Sequence, residues 1–256
     1  MIELQALIFD VDGTLADTER DGHRVAFNRA FAEASLDWDW SVELYGKLLA
    51  VTGGKERIRH YLDVYNTGFK RPAKLDEFIA GLHKAKTRHY TELLATGAIP
   101  LRPGVKRLLA EASDAGLRLA IATTTTPENV DALLQNTLGA GWEQVFEIIA
   151  AGDIVPAKKP APDIYHYTLQ HMQLDAPQCL AFEDSENGIH ATRGADLATL
   201  VTVNSYTQDH PFPQAAIVLD SLGEPEAPFT VLEGDANGFK YVNVDFLKYL
   251  HQSVYA

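Results

Sequence analysis

The run Ala6-Leu7-Ile8-Phe9-Asp10-Val11-Asp12-Gly13-Thr14-Leu15 constrains this chain more than any other stretch. Apolar residues lead straight into two aspartates that flank a valine, and Gly13-Thr14 then turns the chain. A continuous apolar run bounded by a turn signal is the pattern of a buried strand in a parallel sheet. In open parallel sheets the crevice lies just beyond the carboxyl ends of the strands. Side chains alternate along extended backbone, so Asp10 and Asp12 are expected on the same side of the tip. Two carboxylates held close repel unless a cation or a shared proton relieves them. The pair therefore predicts chemistry, most simply with a divalent metal.

After this strand the pattern turns helical. Asp17 to Ala34, Ser41 to Val51, Lys55 to Tyr65 and Lys74 to Ala95 read as helices, with Ser41 as an N-cap and Thr52-Gly53-Gly54 as a break. No strand is expected between Leu15 and Gly97. The shift predicts an all-helical insertion, residues 16–97, capping a crevice in a core made of residues 1–15 and 98–256. Strand–helix alternation then returns, with strands at Leu117–Ala122, Val145–Ala150, Leu180–Phe182, Leu197–Val203 and Ala216–Leu219. Pro103-Gly104 and Pro127 start helices, and Gly116 ends one. Repeated units of this kind imply an α/β fold, a doubly wound, Rossmann-like parallel sheet with helices on both faces. The tail from Gly223 is less patterned. Phe229–Leu232 and Tyr241–Val244 are expected as short strands around a turn at Asp235-Ala236-Asn237-Gly238, with a closing helix over Val244–Tyr255.

Composition narrows the partners. A net charge of -13 disfavours nonspecific binding to nucleic acid or to an anionic membrane surface. An anionic substrate then needs a local basic patch or a metal. The only cysteine, Cys179, sits in an apolar run and reads as a buried, inert thiol. With no intramolecular disulfide, no apolar run long enough to span a membrane and no secretory pattern, a cytoplasmic protein is expected. No interface signature is visible, so a monomer is expected.

Four strand ends carry polar groups suited to one task. The first offers Asp10 and Asp12, and the second Thr123 with the amides that follow it. A lysine pair, Lys158-Lys159, comes next, and the last end offers Glu183-Asp184. Oxygen ligands of this kind suit magnesium, which binds through few carboxylates plus substrate phosphate. Acid pair, hydroxyl, lysine and second acid pair together fit magnesium-dependent phosphoryl transfer.

In order and spacing, Asp10-Val11-Asp12-Gly13-Thr14, Thr123, Lys159 and Glu183-Asp184 resemble the four motifs of the haloacid dehalogenase superfamily. The helical stretch after the first motif looks like that superfamily's small cap. Lys159-Pro160-Ala161-Pro162-Asp163 and Glu183-Asp184-Ser185 are similar to the branch containing β-phosphoglucomutase and phosphoglycolate phosphatase. Thr52–Ile58, Lys86–Tyr90 and Ala122–Thr126 carry a likeness to the phosphatases encoded beside Calvin-cycle genes. Those enzymes remove phosphate from xylulose 1,5-bisphosphate, an inhibitor of Rubisco.

The resemblance implies a mechanism. Asp10 is the nucleophile and forms an aspartyl phosphate; Asp12 protonates the leaving oxygen and then activates water. Mg²⁺ is implied at Asp10, the main-chain carbonyl of Asp12, and Asp184, with Glu183 close by. Thr123 and the amide of Thr124 hold the transferring oxygens, and Lys159 neutralises Asp10 and the phosphoryl group. The substrate is a phosphorylated sugar. Lys55 and Arg57, after a Gly-Gly turn at a helix start, are candidates for its second phosphate. Asp17 and His23 are candidates for its hydroxyls, although the spacing from Asp12 to His23 is one residue longer than in β-phosphoglucomutase. Lys158, Lys86 and Arg88 are expected at the surface. A phosphomutase, a phosphoglycolate phosphatase, and a non-catalytic regulator that binds a phosphorylated ligand all remain open at this level.

Overall fold

The strand–helix units form one seven-stranded sheet in the computed structural model, which describes residues 2–255. Its strands are β1 (Ala6–Phe9), β2 (Arg118–Ala122), β3 (Ile148–Ala150), β4 (Cys179–Glu183), β5 (Ala198–Thr202), β6 (Ile217–Leu219) and β7 (Val231–Glu233). They lie in the order β3-β2-β1-β4-β5-β6-β7, and all neighbours are parallel except β6 and β7. β1 sits between β2 and β4, with Phe9 level with Ile121 on one side and Phe182 on the other. The strand order reverses here, which is where a doubly wound sheet opens its crevice.

Alternation along the strands sorts the buried residues by size. Leu7, Phe9, Leu119, Ile121, Leu180 and Phe182 share one core with α5 (Val105–Asp114), α6 (Pro127–Leu138) and α9 (Val244–Tyr255). Ala6, Ile8, Ala120, Ala122 and Ala181 face α7 (Asp163–Met172) and α8 (Glu186–Gly194). Small residues on this second face allow close approach, which brings Tyr165 of α7 within reach of Glu183. The turn residues act as their chemistry dictates. Pro127 opens α6, and Ser185 caps α8 by accepting from the Gly188 amide at 3.1 Å.

Between β1 and β2 the described residues form no strand. Ahead of α5 they form a π-helical turn (Glu19–His23), α1 (Arg24–Glu33), α2 (Val42–Leu48), α3 (Gly54–His60) with a second π-helical turn (Tyr61–Tyr65), and α4 (Leu75–Ala95). Ser41 caps α2, accepting from the Leu44 amide at 3.1 Å. This segment has its own aromatic core. Trp40 is fully buried, with its ring 4.7 Å from Phe27 and 4.9 Å from Phe31, and Trp38 packs on Phe31 and Phe69. The two connections to the sheet run side by side: Ala16 pairs with Leu101, and the Arg102 amide donates to the Leu15 carbonyl at 2.9 Å.

The tail differs from expectation at one point. β7 and α9 form, but Tyr241–Val244 is not a strand. Arg107 of α5 holds that segment instead, donating to Val242 O at 2.9 Å and Gly223 O at 2.8 Å and lying over the Tyr241 ring. Asp235–Gly238 is a turn, with the Asp235 carboxylate accepting from the Asn237 amide.

Candidate active site

Asp10 follows β1 directly, and its amide bonds the Phe182 carbonyl at 3.0 Å, so the β1 tip is locked against β4. Lys159 reaches in from the loop before α7. Its Nζ lies 2.7 Å from Asp10 Oδ1 and 2.5 Å from Glu183 Oε1, and it is 5% exposed. Tyr165 Oη donates to the same Glu183 oxygen at 2.5 Å. Burial opposes the charge on Lys159, yet the two carboxylates hold its pKa well above the ordinary lysine value.

Asp10, Glu183 and Asp184 each place a carboxylate oxygen within 4.8 Å of the others. Gly13 makes this convergence possible. It has φ 88, and a Cβ there would lie 2.3 Å from Asp184 Oδ2. One lysine does not neutralise three buried carboxylates. Burial, partly offset by Lys159 and reinforced by Glu183 and Asp12, pushes Asp10 up to about 7. Burial with Asp10 and Glu183 nearby raises Asp184 well above its ordinary range, against the pull of Arg102 and a 2.6 Å bond from Asn204. A crowded oxygen-donor set short of positive charge is what a hard divalent cation fits. Glu183 spends its oxygens on Lys159, Tyr165 and the Asp184 amide, which makes it a positioning group for Lys159.

Asp12 is in the opposite state. Its side chain turns away from the cluster, accepting from Thr18 Oγ1 and lying 2.8 Å from His23 Nε2. Burial raises its carboxyl, but His23 and Thr18 together bring it well below the usual carboxylate range. With the side chain so engaged, only the Asp12 main-chain carbonyl is left to serve as the metal ligand the resemblance implied. His23 Nδ1 in turn lies 2.8 Å from Lys86 Nζ. An ammonium can only donate, so this contact assigns the His23 proton to Nε2, facing Asp12.

Lys86 therefore corrects the surface expectation: it is 4% exposed, packed over the Phe27 and Tyr90 rings. The π-helical turn explains how His23 still meets Asp12, because a π turn absorbs the extra residue in that segment. Burial pushes Lys86 down to about 8. A lysine whose folded pKa is depressed contributes stability above its unfolded value and loses it as pH falls through the folded value. At pH 7 Lys86 thus strains the fold. Lys86→Met is expected to raise stability there by about 1–2 kcal/mol, even after His23 Nδ1 loses its donor. Denaturant melts should show the gain shrinking towards pH 10; no gain at pH 7 would refute this.

The remaining expected site residues divide. Thr123 and Thr124 line a cavity of about 270 Å³ with Asp10, Asp12, Lys159, Glu183 and Asp184. Arg57 of α3 reaches it, 7% exposed, donating to Tyr45 Oη at 2.8 Å. Lys55 lies farther out, 2.6 Å from Asp153 of the core, in a second cavity of about 130 Å³ that also holds His23 and Lys86. Asp17 does not join them. Its side chain is 65% exposed and faces Arg102 Nε at 3.5 Å, on neither cavity wall. Lys158 is less solvated than expected, bonded to Glu56 of α3 at 3.1 Å and Asp153 at 2.9 Å.

Several contributors had no local signal in the sequence. Arg102 pins the Gly13 turn by donating to the carbonyls of Gly13, Thr202 and Val203. Glu19 opens onto both cavities, accepting from Tyr45 Oη at 2.5 Å. Asn204, Tyr165 and Thr18 complete the set. All are ordinary residue types, brought together only by contacts distant in sequence.

Residues 4–196 match the family model described as haloacid dehalogenase-like hydrolase. The protein CbbY of Cupriavidus necator is 52% identical over 225 residues, 88% of each chain. Among solved structures, CbbY from Rhodobacter sphaeroides in complex with phosphate has a TM-score of 0.79 at 46% identity, covering 85% of this chain and 94% of that one. A variant of the same protein in complex with xylulose-(1,5)bisphosphate has the same TM-score and coverage at 45% identity.

Proposed function

Because the chain belongs to the haloacid dehalogenase-like hydrolases and is a phosphoric monoester hydrolase, we propose that its substrate is a phosphorylated sugar, xylulose 1,5-bisphosphate, cleaved through an aspartyl phosphate with Mg²⁺ as cofactor. One observation carries the mechanism: two aspartates of the same strand tip, Asp10 and Asp12, sit in opposite electrostatic settings on one cavity wall. Such divergence marks two roles. A relative of 45% identity binds the named bisphosphate, which supports the choice of sugar.

Asp10 attacks phosphorus while Lys159 compensates the charge that gathers on the transferring oxygens. Thr123 Oγ1 and the Thr124 amide hold those oxygens. Asp12 in its protonated form gives its proton to the leaving sugar oxygen and, as a carboxylate, then takes one from the attacking water. His23 and Lys86 hold Asp12 in place for both steps. Mg²⁺, which Asp10, Asp184 and the Asp12 carbonyl would hold, supplies charge that lowers repulsion between nucleophile and phosphate when bound. Residues 16–97 act as a movable cap on the core, hinged at 15–16 and 97–102. Lys55 meets the non-reacting phosphate, with Glu19 and Arg57 lining the way to it. The buried thiol and strongly acidic charge fit a monomeric cytoplasmic enzyme.

The deciding experiment measures phosphate release with Mg²⁺ across pentose mono- and bisphosphates. Xylulose 1,5-bisphosphate should give the highest kcat/KM. Isomerised sugar phosphate with negligible free phosphate would make the protein a mutase, and no turnover of any ester would make it a binding module. Lys55→Ala should raise KM for the bisphosphate by roughly tenfold. An equal rise for 4-nitrophenyl phosphate would remove Lys55 from the second phosphate.

A further inference from the structure

The second cavity contains an imidazole that the proposed mechanism does not use. His83 of α4 lines it together with Lys55, Lys86 and Lys158. Each lysine there already has a partner: Asp153 and Glu56 for Lys158, Asp153 for Lys55, His23 for Lys86. Among the described residues, the ring nitrogens of His83 make no hydrogen bond. The ring lies against the first turn of α3, where a Cβ on Gly54 would come 2.6 Å from its Cδ2 and Nε2.

We infer that His83 binds the non-reacting phosphate of the substrate as an imidazolium, taking up a proton from solvent as that phosphate enters. The inference rests on the bisphosphate reading above and adds a residue and a proton to it. In the empty cavity, burial and the charges of Lys86, Lys55 and Lys158 push His83 down to about 3, so the ring is neutral. The groups facing it set the sign. Lys86 faces it from its own helix, Lys55 and Arg57 from α3, and Lys158 from the core loop. Glu19, Asp12 and Asp153 line the same cavity, Asp153 paired with Lys55 and Lys158 and Asp12 with His23, and Glu56 is engaged with Lys158. A phosphate dianion reverses the local field, and the imidazole gains both a charge and a hydrogen-bond acceptor. A fixed fifth cation would repel its neighbours in the free protein, whereas His83 becomes charged only with the ligand present.

Ligand binding that takes up a proton weakens as pH rises. The second ionisation of the phosphate itself acts with the opposite sign, but equally in wild type and variants, so ratios between them isolate His83. Calorimetry of xylulose 1,5-bisphosphate binding to Asp10→Asn protein with Mg²⁺ at pH 6, in buffers of different ionisation enthalpy, should show proton uptake by the protein. Adding His83→Gln should remove that uptake. In the otherwise wild-type enzyme, His83→Gln should lower the ratio of kcat/KM for the bisphosphate to that for 4-nitrophenyl phosphate by about tenfold. Gly54→Ala, which displaces the ring, should lower it likewise, and Lys84→Gln on the exposed side of α4 should leave it in place. An unchanged ratio in His83→Gln, or a lowered ratio with proton uptake retained, overturns the inference. Wild-type enzyme with no preference for the bisphosphate would instead overturn the reading on which it rests.

Discussion

Asp10→Asn is expected to abolish phosphate release while making the cation-free protein more stable at pH 8. Loss of the nucleophile removes the covalent route, so kcat should fall by roughly 10⁴-fold or more. The stability gain follows from the crowding at the strand tip. Burial pushes Asp10 up to about 7, so its ionised form is disfavoured in the folded protein. A carboxyl raised in this way contributes stability below its unfolded value, near 3.8, and loses it as pH rises through about 7. Asparagine never ionises and avoids that loss. The gap should open between pH 4 and 7 and reach a few kcal/mol, on the order of 2–4, above it. Mg²⁺ should raise the wild-type midpoint more at pH 8 than at pH 5, because protons compete for the same oxygens, and should raise the variant's far less. Thermal melts across that pH range, with and without Mg²⁺, check this. Residual turnover above about one part in a hundred would remove Asp10 as the nucleophile. Melts insensitive to pH and Mg²⁺ would show that the acidic cluster needs no cation.

The sheet and the polar residues at its strand tips were legible because their signals are local. Ala6–Phe9 is apolar at every position, Gly13 turns the chain, and Pro127 and Ser185 open the helices after β2 and β4. The helical insertion was legible for the same reason, from periodicity alone. The site residues that were missed depend on packing. Lys86 looks like one of several polar residues on α4, and only the approach of the π-helical turn buries it against His23. The extra residue between Asp12 and His23 could not be interpreted without knowing that a π turn would take it up. Asp17 erred in the reverse direction: it is close to Asp12 in sequence, but the chain has already turned towards Arg102. Tyr241–Val244 has the apolar content of a strand, yet the Val242 amide bonds the Leu222 carbonyl in a loop and Arg107 takes the Val242 carbonyl. Strand propensity without a partner is a weak guide.

Lys159→Met should be the most destabilising of the substitutions considered and should still leave a trace of activity. Lys159 is the only cation bonded to Asp10 and Glu183 among the described residues, and both carboxylates are buried. Removing one partner of a buried ion pair leaves uncompensated charge, a loss of about 3–5 kcal/mol. The sign with pH is fixed by the direction of the lysine shift. Its folded pKa lies well above 10.5, so its contribution is fully present at every working pH below that value. The carboxylates it leaves behind can escape by protonating, so the loss should be largest near pH 8 and shrink towards pH 5. Rates should fall by about 10²–10³, since Asp10 and the proposed Mg²⁺ remain while one fixed positive charge is gone. This separates the two substitutions: Asp10→Asn gains stability and loses the reaction, whereas Lys159→Met loses most of both. Urea melts at pH 5 and 8, paired with single-turnover kinetics, distinguish them. A Lys159→Met protein as stable as wild type at pH 8 would mean that Asp10 and Glu183 are solvated or protonated there. In that case the charge balance assigned to the tip of β1 would be wrong.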